Sequence, residues 1–286
     1  MLTVTNELKQ GSVREKISFG VVLFLVFLLS LVFIFPFYWM LKGAFQPSSM
    51  AMEVPPHFFP VKLTLDNFVK LFTKTQAMRW FLNTFIVAGS ACVLTILIGS
   101  MGGYAFAKKK FPGREPIFWV LLTAMMLPKQ VMLIPLYIMM NKYGLYDTYP
   151  GMFLPMVAWP LGLFLFRQFM QGIPDALLDA ARIDGAGEFA TFRHVILPMC
   201  TSALATVGIL YFVNTWNDYM WQLIITKSTN MATLSVGISK VTRTESAVDY
   251  GLLMAGATFG SFFIGAAFLF FQKYFVRGIT MGAVKG

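Results

Sequence analysis

Charge is scarce in this chain. Of 286 residues, only 13% are Asp, Glu, Lys or Arg, against roughly 25% in soluble globular domains. So few ionisable groups cannot cover a water-facing surface. The 57% apolar content, with 30 Phe and 19 Met, instead places the chain among polytopic membrane proteins. Cysteine is nearly absent. Cys92 and Cys200 stand far apart, in or beside apolar runs, which excludes a disulfide framework and fits two small apolar fillers. His57 and His194 are isolated and share no ligand spacing with the cysteines, so no metal site is predicted. The phosphate-cradling pattern Gly-x-x-x-x-Gly-Lys-Ser/Thr is missing, so the chain carries no nucleotide-hydrolysing loop of its own. The net charge of +10 does not mark a nucleic-acid binder either. Its basic residues sit in short runs between apolar stretches, where inner-leaflet anchors stand.

Six apolar runs are long enough to cross about 30 Å of hydrocarbon. They lie at 18–42, 80–107, 116–140, 150–171, 199–225 and 251–273. The first is too long for a signal peptide, and it ends in Tyr38-Trp39 and Lys42 rather than a small-residue cleavage site. It reads as a retained span. The predicted fold is therefore all-α, a polytopic membrane protein with six transmembrane helices. Lys108-Lys109-Lys110 and Arg114 share a short loop and set the orientation, because cytoplasmic loops collect Lys and Arg. Both termini, 108–115, 172–198 and 274–286 then face the cytoplasm. One segment argues the other way: 43–79, placed outside, holds Lys62, Lys70, Lys74 and Arg79 beside Glu53 and Asp66. Longer loops translocate with weaker regard for charge.

The runs also carry packing and breaking signals. Gly99-x-x-x-Gly103 in the second and Gly256-x-x-x-Gly260 in the sixth allow close helix contact. Pro128 and Pro135 interrupt the third run, Pro155 and Pro160 the fourth. Each removes a backbone hydrogen bond, so these spans should be kinked or locally unwound, as cavity-lining helices often are.

A polar island at 179–198 breaks the apolar pattern. It reads Asp179-Ala180-Ala181-Arg182-Ile183-Asp184-Gly185-Ala186-Gly187-Glu188, continues through Phe192, and ends at Ile196-Leu197-Pro198. Upstream, Pro174 suits a helix start and Asp175 complements the positive end of the helix dipole. Residues 175–184 then form a helix, which Gly185 and Gly187 break with a tight turn. A second amphipathic piece carries Phe189, Phe192, Val195 and Ile196, and Pro198 ends it before the fifth span. A charged hairpin between two spans cannot lie in lipid, so it must meet something in water.

This hairpin resembles the EAA loop of ATP-binding-cassette import permeases, whose pattern is Glu-Ala-Ala, three residues, Gly, nine residues, Ile-x-Leu-Pro. Ala180-Ala181, Asp184-Gly185-Ala186, Phe192 and Leu197-Pro198 match it, while Asp179 replaces the usual Glu and is one methylene shorter. Leu127-Pro128, Ile134-Pro135-Leu136-Tyr137, Phe166-Arg167-Gln168-Phe169, Trp216-Asn217-Asp218-Tyr219 and the terminal Gln272–Gly286 segment look like maltose-type sugar permeases. The likeness covers roughly 80–286. It implies the fold of type I importers, with a wrapping first helix and loop in 1–79, a core in 80–273 and a cytoplasmic tail in 274–286. It further implies a heterodimer with a second, homologous permease, two ATPase subunits and an extracellular or periplasmic solute-binding protein. ATP and Mg would sit on the ATPase, with no cofactor on this chain. Asp179, Ala180, Ala181, Asp184, Gly185, Ala186, Phe192 and Pro198 would meet the ATPase. Arg277, Gly278 and Lys285 would reach between its two copies. The implied cargo is a disaccharide or oligosaccharide, the implied site a bacterial cell membrane.

Sugar recognition asks for aromatic platforms beside amides and carboxylates. Asn214, Asn217, Asp218 and Trp221 fall at i, i+3, i+4, i+7 and would share one face of a continuous fifth helix. Asn83 in the second span and Lys129-Gln130 beside Pro128 are further polar groups at membrane depth. The competing reading of Trp216, Tyr219 and Trp221 is an interfacial aromatic belt or plain helix packing. A glycerol-3-phosphate cargo is the alternative within the same class, and it would ask for more cations than Lys129. An ion-coupled secondary carrier would rest on Asp218 alone. A metal-dependent lipid-headgroup enzyme would need carboxylates in 189–210, which has none.

Overall fold

A computed structural model describes residues 13–51, 53–243 and 248–283, with side chains described within 17–270 of these. Thirteen helices are named among the described residues. Three are long and apolar enough to span a membrane alone: α1 (Val13–Ala44), α3 (Ala77–Lys108) and α13 (Tyr250–Ala283). Three bent pairs supply the other spans. They are α4 (Arg114–Thr123) with α5 (Lys129–Lys142), α6 (Tyr149–Val157) with α7 (Pro160–Gln171), and α9 (Glu188–Met199) with α10 (Thr201–Trp216). Shorter helices connect them: α2 (Asp66–Lys74), α8 (Asp175–Ile183), α11 (Met220–Ile225) and α12 (Leu234–Val241). Six spans result when each bent pair counts once.

Helix α3 is the axis of the bundle. Trp80, Thr84, Val87, Ala91 and Thr95 recur at helical spacing and are all buried. Further along, a Cβ on Gly103 would lie 2.5 Å from the Phe166 Cβ and 3.0 Å from the Arg167 nitrogen, and one on Gly99 would touch the Phe166 ring. The small pair thus seats α3 against α7. The other pair does the same for α13, where Gly256 and Gly260 meet Ile238 and Leu234 of α12. Helix α1 packs along α13, but its apolar stretch is otherwise uncovered by the described residues.

The prolines act where they can start a helix. Pro128 precedes α5 and Pro160 opens α7, and the chain bends there by 101° and 48°. Pro135 and Pro155 stay inside α5 and α6. Two expectations are corrected. The fifth run is not one helix: α10 ends at Trp216, Asn217–Tyr219 is a break, and α11 begins at Met220. Asp218 accepts the backbone N–H of Trp221 at 3.1 Å, so its carboxylate caps the new helix. Nor does a free tail begin at 274. Helix α13 continues to Ala283 through proline-free sequence, so Arg277 and Gly278 are helical, while Lys285 lies outside the described residues.

Candidate functional site

The polar island folds as a hairpin, with α8 and α9 as its limbs. Helix α8 ends in a Schellman turn: the Ala186 N–H reaches the Ala181 carbonyl at 2.9 Å and the Gly185 N–H the Arg182 carbonyl at 3.0 Å. Gly185 holds φ +80°, and a Cβ there would meet nothing within 4 Å of its own chain. Glycine is required by backbone conformation here, and the turn stands open to the outside. In α9 the residues Phe192–Ile196 form a π-helical turn, which buries both Phe192 and Ile196 while Arg193 and His194 face out. The bend of 78° into α10 falls at Cys200, two residues beyond Pro198, so the second limb is not ended by that proline as expected.

The limbs are held to the bundle by the foot of α3. Lys108 donates to Asp175 Oδ1 at 2.7 Å and to the Ile173 carbonyl at 2.5 Å, and its side chain is only 5% exposed. Lys109 and Tyr104 both donate to Glu188 Oε2, the tyrosine at 3.0 Å. Arg182 joins the limbs, 3.0 Å from Asp179 Oδ1 and 3.9 Å from Glu188 Oε1. The hydrogen bond from Lys108 holds the Asp175 carboxyl below its ordinary value, and the one from Lys109 does the same for Glu188. An apolar floor of Tyr104, Phe166, Met170, Leu178, Phe192 and Ile196 completes the attachment.

The predicted hairpin residues therefore divide. Asp179, Ala180, Asp184, Gly185 and Pro198 are exposed, and Ala186 is partly so. Ala181 and Phe192 point into the bundle, because the face of each limb that carries them covers the floor. They attach the hairpin; they do not offer it. Ile183 and Phe189, 86% and 64% exposed, flank the turn instead. Sequence reasoning treated Phe189 as part of an amphipathic face and gave Ile183 no role, although each interrupts a polar surface. It also read Lys108 and Lys109 only as topology markers.

At membrane depth the structure brings together one predicted pair. Lys129, at the break in the third span, donates to Asn214 Oδ1 of α10 in the fifth at 3.1 Å. Gln130 and Asn217 are exposed nearby in sequence, Asn217 bonding back to the Val213 carbonyl at 3.0 Å. Asn83 and Trp221 are not part of this group. Asn83 is fully buried, donating to the Asn230 and Ala232 carbonyls and accepting from the Tyr149 hydroxyl. The Trp221 indole is buried and donates to the Gly151 and Met152 carbonyls. Trp216 is likewise buried, stacked on Phe263 at 4.8 Å, so neither tryptophan forms an interfacial belt. The helix break at 217–219 is the reason: it turns Trp221 off the face that Asn214 occupies.

Broken spans around an unbroken axis, with a polar hairpin clamped to that axis, fit a membrane transport subunit. The family described as binding-protein-dependent transport system inner membrane component matches residues 95–281, and the chain belongs to it. The arabinooligosaccharides transport system permease protein AraQ of Bacillus subtilis (strain 168) is 37% identical over 262 residues, 91% of this chain and 93% of the relative. The sn-glycerol-3-phosphate transport system permease protein UgpE of Rhizobium meliloti (strain 1021) is 30% identical over 258 residues, 87% and 92% of the two chains. Among solved structures, a chain of a bacterial ABC transporter involved in the import of the acidic polysaccharide alginate aligns with a TM-score of 0.80 at 19% identity. It covers 93% of this chain and 99% of that one, and supports the fold.

Proposed function

We propose that this chain is the permease subunit of a bacterial ATP-driven sugar importer, carrying a disaccharide or oligosaccharide. It would form half of the path with a second, homologous permease, take energy from two ATPase subunits, and receive cargo from a solute-binding protein. The observation that carries the reading is the clamp between α3 and the hairpin. Ile183 and Phe189 beside an open glycine turn need an apolar cover in water. Whatever covers them moves Asp175 and Glu188, and through Lys108, Lys109 and Tyr104 it moves the axis of the bundle. Closure of the ATPase dimer on ATP would draw two such hairpins together and rock the spans from inward to outward access. Both termini face the cytoplasm, from the basic 108–114 loop at the hairpin end.

Sugar is favoured over a phosphate-bearing cargo by the exposed groups at the broken spans. Lys129, Gln130, Asn214 and Asn217 offer three amides and one cation, and that cation is already bonded to an amide. The glycerol-3-phosphate relative keeps the second reading in play. Proteoliposomes holding the full transporter and its binding protein separate the two. ATP-dependent uptake of labelled maltose or longer oligosaccharides, with none of glycerol-3-phosphate, supports the sugar reading. The reverse preference overturns it.

A further inference from the structure

The segment between α1 and α3 turns its apolar side chains outward. Phe58, Phe59, Val61 and Leu63 are 54–72% exposed. In α2, Asn67 and Leu71 face the bundle, yet Val69 and Phe72, with Leu65 at the helix N-cap, make a second apolar stripe at i, i+4, i+7 that is 45–61% exposed. A water-facing loop does not carry such a surface without a cover.

The neighbouring contacts identify the cover. Phe58 stacks on Tyr38 at 5.4 Å and on Phe35 at 6.2 Å, and the Tyr38 hydroxyl donates to the Phe58 carbonyl at 2.5 Å. Both partners belong to α1, whose apolar stretch has mean hydropathy 3.0 and no residue buried by the described residues. The Phe58 ring thus extends a helix that crosses lipid, and Phe59 packs edge-on against it at 5.2 Å. Lys62, Lys70 and Lys74 are exposed between these apolar groups. Long cationic side chains in such a position lay their stems on the apolar surface and reach lipid phosphates with their heads.

We propose that residues 54–74 lie in the membrane surface at the end of the bundle opposite the hairpin. Phe58, Phe59, Val61 and Leu63 enter the boundary between headgroups and acyl chains, and Lys62 and Lys74 bind lipid phosphates, while Lys70 lies 3.9 Å from the Asp249 carboxylate. This accounts for the basic outer segment that ran against the charge bias: its cations belong to a lipid-bound collar rather than a free loop. The assignment to the outer leaflet rests on the orientation proposed above; the immersion does not.

Spin labels at Phe59→Cys, Leu63→Cys and Lys62→Cys, each in the full transporter in phosphatidylglycerol-containing nanodiscs, test the proposal. The unsubstituted protein, with Cys92 half-buried and Cys200 buried, serves as the labelling blank. Retained ATP hydrolysis reports that each variant is assembled. The expected result is an oxygen-to-nickel-chelate collision ratio several-fold higher at 59 and 63 than at 62. Free nickel access at all three positions overturns the proposal in favour of a solvated loop. Shielding of 59 and 63 from both reagents overturns it in favour of a protein partner. Reaction of Lys62→Cys with an impermeant maleimide in intact cells reads the sidedness separately, so an error in orientation cannot be mistaken for an error in immersion.

Discussion

Replacing Glu188 by Gln removes a charge from the clamp while keeping the side chain's shape. In the structure one carboxylate oxygen accepts from Tyr104 and Lys109, and the other lies 3.9 Å from Arg182. Hydrogen bonds to a charged group contribute about 1.5–3 kcal/mol when shielded. The side chain is 64% exposed, however, and exposed ion pairs contribute about 0–1 kcal/mol each. The hairpin's second limb should therefore lose about 1–2 kcal/mol of attachment, a factor of roughly 5–30 in the attached population. That loss is too small to unfold a six-span bundle. The apolar floor of Phe192 and Ile196 stays in place, so the ATPase should still bind and hydrolyse ATP. Solute moved per ATP should fall several-fold in proteoliposomes. Tyr104→Phe, which removes one neutral donor, should have a smaller effect. Lys109→Gln should fail to add to Glu188→Gln, because both break the same contact. Wild-type stoichiometry in Glu188→Gln, or fully additive effects of the two, would refute the clamp.

Other outcomes follow from the same geometry. Gly103→Ala pushes a methyl group to 2.5 Å from the Phe166 Cβ; overpacking of this kind costs about 1–3 kcal/mol and should lower the detergent melting temperature without changing cargo preference. Asn83→Ala strips partners from the buried Ala232 carbonyl, the more open Asn230 carbonyl and the Tyr149 hydroxyl; the expected loss is about 1–3 kcal/mol, read by thermal unfolding, with the sugar panel unchanged. The carboxyls of Asp175 and Glu188 have folded values held below 3.8 and 4.5. Their contribution is thus complete above those values and lost only as pH falls through the lowered ones. The opening free energy of peptides covering 175–190, read by hydrogen exchange, should be flat near neutral pH and fall only in strong acid.

Much of the fold was legible because lipid imposes simple rules. Six apolar runs, two small-residue pairs and the prolines at 128 and 160 map onto spans, helix contacts and bends. The hairpin was legible for the same reason, as charge and glycine inside apolar sequence. The break at 217–219 was not, since Asn217 and Asp218 fit a helical face as readily as a helix end, and only tertiary packing of Trp216 and Trp221 decides between them. The clamp escaped as well. Nothing local in Lys108-Lys109 distinguishes a topology anchor from a partner of Asp175 and Glu188, which lie 67 and 79 residues away. The division of Ala180 from Ala181 depends on which way α8 faces, and that is set by the floor beneath it.

On the proposed function, the open turn at Gly185 receives the force of ATP hydrolysis. Gly185→Leu tests it most directly. The left-handed backbone makes the substitution cost about 1–2 kcal/mol locally, yet the added side chain meets nothing within 4 Å of its own chain. The variant should insert and pair with the second permease in normal amount, but retain no ATPase subunit on co-purification. A complex carrying Gly185→Leu with the full complement of ATPase and normal uptake would contradict it.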